Sequence, residues 1–455
     1  MMPLNPNKYV TSTRELVADQ ILRSAQQFFK KEASSSVLLI AATIIALVWS
    51  NSEIGETYYS FWHAEVSFAF GQFSISKTVI HWVNDGLMAL FFFTVGLEIK
   101  REILVGELAS PKKALLPVVA ALGGMVVPGI VYIALNIGSP TIHGWAIPVA
   151  TDIAFALGAV AVFGRRLPVG LRIFLAAFAI ADDLGAVVII AIFYTKEIIW
   201  SYLIICLIFV VGLALANLLW IRSPLIYAAL GLAVWFFVLG SGVHGTIAGV
   251  IVSFFVPARG RYDTDHFLQN VKTITEKFEC EEQSCGYSIL LNQEHMHAVH
   301  ALELACQDVE TPLQRLMHAL HPWVAFLILP LFAMGNTGLT FQDIVFTELA
   351  SNPVIIGIVV GLVIGKPIGV LLFSYLSVKT GLASLPQEIR WSHILGGGML
   401  GGIGFTMSLF IADLSFADPQ LLDYSKIAIL IGSVLSAVMG MSYLGYISIS
   451  DHDGK

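Results

Sequence analysis

Two adjacent carboxylates, Asp182 and Asp183, stand within AIADDLGAVVIIAIFYT (residues 179–195), a stretch with no other charge. Carboxylate oxygens suit hard cations, and a carboxylate can equally take up and release a proton. On insertion scales an Asp at a helix centre costs about 2.5–3.5 kcal/mol. Such residues therefore face a bundle interior or a water-filled cavity, and they mark ion pathways. The plainer reading, a pair at a helix end in water, conflicts with their position. The helix starts near Gly170, Leu171 and Arg172, which puts the pair about 15 Å deep at a rise of about 1.5 Å per residue. Neighbours on a helix point about 100° apart, so one acid can face an ion while the other faces a second helix.

Other polar residues interrupt apolar runs in the same way. Pro148 and the pair Thr151–Asp152 break AIPVATDIAFALGAVAVF, and six glycines from Gly396 to Gly404 break LGGGMLGGIGFTMSLFIAD, residues 395–413. Proline removes a backbone hydrogen bond, and Thr or Asp can satisfy the groups it frees. Broken helices leave dipole ends in a low dielectric, positive at N-termini and negative at C-termini. An acid and a base can offset them; Asp152 and Lys366, the latter in VIGKPIGVLL, are the candidates. Lys366 is about thirteen residues into its apolar run and precedes Pro367, so it reaches neither membrane face easily. The alternative role for Lys366 is a purely structural ion pair with an aspartate.

The elements that must position these groups follow from composition. Of 455 residues, 56% are hydrophobic and only 13% charged, and the mean hydropathy is +0.79. That is an all-α polytopic membrane protein rather than a soluble domain. The net charge of −7 is spread over loops and points to no nucleic-acid partner. Apolar runs long enough to cross the bilayer fall near 34–50, 82–99, 114–135, 145–163, 170–194 and 199–219, then near 224–240, 242–257, 322–341, 353–378, 393–413 and 425–447. Twelve transmembrane helices result, with 224–257 read as two short spans parted at Gly240–Gly242. Of the 25 basic residues, only Lys77, Lys196 and Lys426 then fall outside and Lys366 within a span; the rest lie on the inner side. That asymmetry places both termini in the cytoplasm.

The expected division is 1–33 cytoplasmic segment, 34–257 eight spans, 258–320 cytoplasmic insertion, 321–447 four spans and 448–455 tail. Residues 14–30 put Val17, Ile21, Ala25 and Phe28 on one stripe, the pattern of an amphipathic helix on the membrane surface. No cleavable signal peptide is expected from the polar first 33 residues. In the insertion, Cys280, Cys285 and EHMHAVH at 294–300 are loosely compatible with zinc. The spacing matches no standard zinc module, so a solvated hairpin of two helices is the favoured reading. No cofactor is expected.

ATDIAFALG (150–158), FLAAFAIADDLGAVVIIAIFYT (174–195), GKPIG (365–369) and GIGFTMSLFIA (402–412) resemble the NhaA-type sodium/proton antiporters of bacterial inner membranes. NDGLMALFFFTVGLEIKRE (84–102), GVHGTIAGVIV (242–252) and HPWVAFLILPLFA (321–333) are similar too, and the resemblance runs in order from about residue 30 to 447. It implies an inverted-topology repeat of the third to fifth and tenth to twelfth spans, with two broken helices crossing at the membrane midplane. It further implies that Asp183 is the principal ion ligand, Asp182 the second carboxylate and partner of Lys366, and that Thr151 and Asp152 sit at the crossing. Glu98, Arg101 and Glu102 match a cluster tied to pH activation; His244, His318 and His321 match further positions linked to pH response. One departure is Met317, where the family usually carries Glu just before the histidine; another is the long 258–312 insertion.

The function so implied is electrogenic exchange of cytoplasmic sodium or lithium for external protons by alternating access. The expected partners are those ions, protons and the lipid bilayer, with a homodimer left open. A sodium-coupled symporter or a channel is the first rival. An intramembrane aspartyl protease is the second; it needs its two acids on different helices, and the Gly-x-Gly-Asp pattern is missing.

Overall fold

In the computed structural model, the described residues are 34–70, 73–195, 198–258, 264–276, 293–340, 351–386 and 388–453. The expected surface helix at 14–30, and Cys280 and Cys285, lie outside them. Seven described helices are long and apolar enough to cross a bilayer: Pro111–Leu135, Pro140–Val162, Val169–Phe193, Trp200–Leu218, Pro312–Asn336, Pro353–Lys379 and Pro419–Ile449. Two bent pairs, Ser34–Ser50 with Gly55–Trp62 and Trp391–Gly401 with Phe405–Ser415, turn through 115° and 48°. Pro224–Gly240 and Gly245–Phe255 are shorter apolar helices, so the break read at Gly240–Gly242 is present, with Gly242 at φ 85°.

The local causes are legible. Proline opens many of these helices at the first turn, where its missing N–H removes no bond: Pro111, Pro224, Pro312 and Pro353 all do so. Asn352 accepts the Val354 N–H at 2.9 Å, and Thr311 and Gln314 form a reciprocal capping box. Apolar side chains face outward along these helices, as on Trp200–Leu218, where Ile204, Leu207, Ile208 and Leu218 are exposed. A hydrocarbon solvent makes that arrangement favourable, since hydropathy no longer separates inside from outside.

Two local features depart from the expected all-α chain. An antiparallel hairpin joins Glu65–Phe70 to Phe73–Thr78, with Glu65 opposite Thr78 and Phe70 opposite Phe73. Its alternation of apolar and polar residues has the two-residue period of a strand. Among the described residues, three helices also widen into π-helical turns, at Trp82–Leu87, Val324–Ile328 and Gly361–Gly365. The last of these runs directly into Lys366.

The chain packs as two units, one of Met1–Met88, Glu102–Tyr194 and Ala325–Lys455, the other of Ala89–Arg101 and Thr195–Val324. In the first, the Pro111–Leu135 and Lys366–Lys379 helices approach closely because Gly123 and Gly369 meet backbone to backbone: a Cβ on either would run into the carbonyl of the other. Small residues allow such approach where lipid provides no hydrophobic drive. In the second unit, Leu97, Cys206, Leu213, Tyr227, Val234, Val252 and Leu313 form a buried core. Lys100 donates to the carbonyls of Phe254 at 2.6 Å and Val256 at 2.5 Å, a cation at a helix C-terminus. Within 258–320 the described residues form the helices Thr264–Glu276 and Gln293–Val309, which pack against each other, and His295, His297 and His300 lie on the second.

Candidate functional site

The site is built on two interruptions within the first unit. A tight 3-10 segment, Pro140–Val149, gives way to extended backbone at Ala150 and resumes as the Ile153–Val162 helix. Asp152 caps that helix, accepting the Phe155 N–H at 3.2 Å. The second interruption spans Gly402–Gly404, between Trp391–Gly401 and Phe405–Ser415. Each break satisfies the other. The Asp152 N–H donates to Ile403 O at 2.7 Å, and the Thr151 hydroxyl donates to Gly401 O at 2.8 Å. The Thr406 N–H and hydroxyl both donate to Asp152 Oδ2, at 3.1 and 2.5 Å, while Ser408 donates to Ile147 O at 2.7 Å. Freed backbone groups in an apolar setting thus find partners, as they must.

Charge enters from two further helices. Val169–Phe193 carries Asp182 and Asp183, which are 0% and 1% exposed. Lys366, also 0% exposed, lies 2.8 Å from Asp182 Oδ2. Its ammonium also donates to the carbonyl of Val149, the last residue of the 3-10 segment. One cation therefore meets both a carboxylate and the negative end of a helical segment. Asp183 acts electrostatically on Lys366, and Thr151 interacts with Asp182. Gly124 lies against this group: a Cβ there would crowd Val370 at 3.1 Å and touch the Lys366 stem and Phe178, each at 3.4 Å. The structure thus brings together Thr151, Asp152, Asp182, Asp183 and Lys366. Buried carboxylates with one lysine, at a point where four chain segments meet, can exchange protons against a cation whose ligands are oxygens.

The sequence profile of the Na+/H+ antiporter 1 family matches residues 26–444. The Na(+)/H(+) antiporter NhaA 1 of Saccharophagus degradans is 46% identical over 429 residues, 94% of this chain and 92% of that protein. The NhaA of Oleidesulfovibrio alaskensis is 46% identical over 422 residues, 93% of each. That of Wolinella succinogenes is 42% identical over 420 residues, 92% of each.

The chain belongs to the Na+/H+ antiporter 1 family. It is a transporter rather than an enzyme, which removes the protease rival. The residues expected to respond to pH divide in this antiporter-family chain. In the second unit, Glu98 and Arg101 flank Lys100, whose partners lie at the far end of the Gly245–Phe255 helix. His244 caps the opposite end of that helix, its Nδ1 being 3.0 Å from the Thr246 hydroxyl, about 16 Å away at 1.5 Å per residue. In the first unit, Glu102 accepts the Glu107 N–H at 3.0 Å. Again in the second unit, His318 is exposed and lies 3.4 Å from Glu310, which also stands 3.8 Å from Arg315. His321 is half-buried, one turn further along. Met317 is buried in the core of its unit, where a charged residue would need a partner; a carboxylate reaches His318 from Glu310 instead.

Thr406 escaped the sequence reading, although GIGFTMSLF contains it. Its hydroxyl bonds a carboxylate, an interaction worth about 1.5–3 kcal/mol when the acceptor is charged. Thr406→Val is therefore expected to lower the melting temperature and raise the sodium KM roughly tenfold, tenfold being about 1.4 kcal/mol. Thr406→Ser should restore both. A valine variant with parental values would show that this contact holds nothing in place.

Proposed function

We propose that this chain is a twelve-span, electrogenic sodium/proton antiporter of the bacterial inner membrane, accepting lithium as well, with both termini in the cytoplasm. Family membership supports sodium/proton exchange, and the distribution of Lys and Arg among the connecting loops supports the orientation. The two interrupted segments belong to an inverted repeat, the third to fifth and tenth to twelfth spans, whose breaks meet at the midplane. The observation that carries the reading is the buried Asp182–Lys366 pair beside Asp183, at the crossing of two interrupted helices.

Asp183 is the principal ligand of the ion, and Asp182 the second carboxylate. Together they hold protons or a desolvated sodium ion, not both. Alternating access exposes them to each side in turn, and the turn takes place only when the acids are neutralised, since bare charge is costly in apolar packing. Asp152 and Lys366 offset the ends of the interrupted helices. With the two acids, or one acid and Lys366, titrating per cation, more protons than sodium ions cross. The cycle then moves net charge, worth about 2.3 kcal/mol per elementary charge per 100 mV. Glu98, Arg101, Glu102, His244, His318 and His321 adjust activity to pH.

The test is sodium addition to acid-loaded inside-out vesicles at two pH values, with the membrane potential either free or clamped by potassium and valinomycin. Sodium should collapse the pH gradient, faster at the higher pH, and the rate should depend on the clamp. A rate indifferent to the potential would overturn electrogenicity, and one indifferent to pH would overturn the regulatory assignment.

A further inference from the structure

The long Pro419–Asp453 helix turns two hydroxyls toward the Gly402–Gly404 break. Ser433 Oγ accepts the Phe405 N–H at 3.2 Å, so it satisfies from another helix one of the N–H groups that every helix start leaves open. The next N–H, that of Thr406, goes to Asp152 Oδ2. Consecutive amides at one helix start are thus held by a serine from one side and by the site carboxylate from the other. Whatever fixes the Phe405 peptide also fixes the angle at which Thr406 meets Asp152.

Ser436, one turn further along, is 1% exposed. Its Oγ has no hydrogen-bond partner among the described residues, and it lies against Gly402, where an added Cβ would come within 2.6 Å of it. Serines in apolar helices ordinarily bond back to their own backbone, as Ser425 does to Leu421 O at 2.8 Å on this same helix. A buried hydroxyl left open calls for an explanation. The two serines are about 4.5 Å apart along the axis at 1.5 Å per residue, near the one-turn step by which packed elements ratchet past each other.

We infer that Ser433 and Ser436 are positioning residues for transport: Ser433 holds the start of the Phe405–Ser415 helix in the arrangement seen here, and Ser436 receives it when the site turns to the opposite side. The inference rests on the crossing being the transport site. Ser433 acts on ion binding through Thr406 and Asp152; Ser436 acts on the rate of turning.

The experiment uses the full chain, with Ser433→Ala, Ser433→Thr and Ser436→Ala reconstituted beside the parent in liposomes loaded with a pH-sensitive dye. Sodium is titrated at several pH values and melting temperatures are measured in parallel. Ser433→Ala should raise the sodium KM about tenfold and shift the pH profile, with Ser433→Thr restoring both, as expected for a contact made in the bound ground state. Ser436→Ala should melt with the parent and keep its KM, but turn over about tenfold more slowly. A Ser433→Ala variant that only melts lower, with KM and pH profile unchanged, would reduce that serine to packing. A parental maximal rate for Ser436→Ala would overturn the inference, and it decides the matter should Ser433→Ala fail to fold. Every comparison is to the parent, whose own sodium-dependent flux reports separately on the transport reading.

Discussion

Asp183→Asn is expected to lower sodium-dependent proton flux by roughly 100-fold or more, equivalent to about 2.8 kcal/mol or more at 1.4 kcal/mol per tenfold. Asparagine keeps the size of the side chain and one carbonyl oxygen, but it neither takes up a proton nor neutralises a cation. In apolar surroundings a sodium ion would then have to be dehydrated against Asp182 alone, whose charge is already offset by Lys366 at 2.8 Å. Because Asp183 is 1% exposed, bulk water does not make good the loss. Flux is read in vesicles, and the melting temperature of the purified variant shows that folding is intact. Asparagine keeps the side-chain volume and Lys366 keeps its ion pair with Asp182, so a melting point close to that of the parent is expected. A folded Asp183→Asn variant exchanging at the parental rate would remove Asp183 from the site.

Lys366→Ala should have the largest effect on stability. Its ammonium is 2.8 Å from Asp182 Oδ2, with both side chains 0% exposed, and it also bonds Val149 O. Removing one partner of a buried pair leaves an isolated charge and costs about 3–5 kcal/mol, whereas replacing both partners is often neutral. Lys366→Ala should therefore melt well below the parent, and Asp182→Asn should also melt below it, with Lys366 left buried and charged. The combination Asp182→Asn/Lys366→Ala should recover most of the loss. Thermal unfolding of the four proteins in one detergent checks this. Additive losses in the double variant would contradict a coupled pair, since independent sites add and contacting ones do not.

The charged heart of the site was legible because charge in an apolar run has few explanations. Asp182, Asp183 and Lys366 announce themselves by type alone, and Pro148 and the glycines from 396 to 404 mark where helices give way. The contacts that complete the site were not legible. Thr406 and Ser408 look like ordinary polar residues of an apolar helix, and Ser433 earns attention only once the Phe405 N–H is seen to lack a partner within its own helix. Such pairings join residues far apart in the chain, so no local pattern encodes them. The Glu65–Thr78 hairpin was missed for another reason: hydropathy windows sized for spanning helices average away a period of two. Met317 reads as the loss of an acid in sequence, yet its burial shows a position that now serves the core.

Release of protons by sodium from purified protein tests the central claim most directly. Sodium chloride is added to the detergent-solubilised chain in a lightly buffered solution near neutral pH, with choline chloride as the control, and the pH is recorded. The account predicts saturable acidification by sodium that choline does not cause and that Asp183→Asn abolishes. Sodium binding without proton release would contradict it.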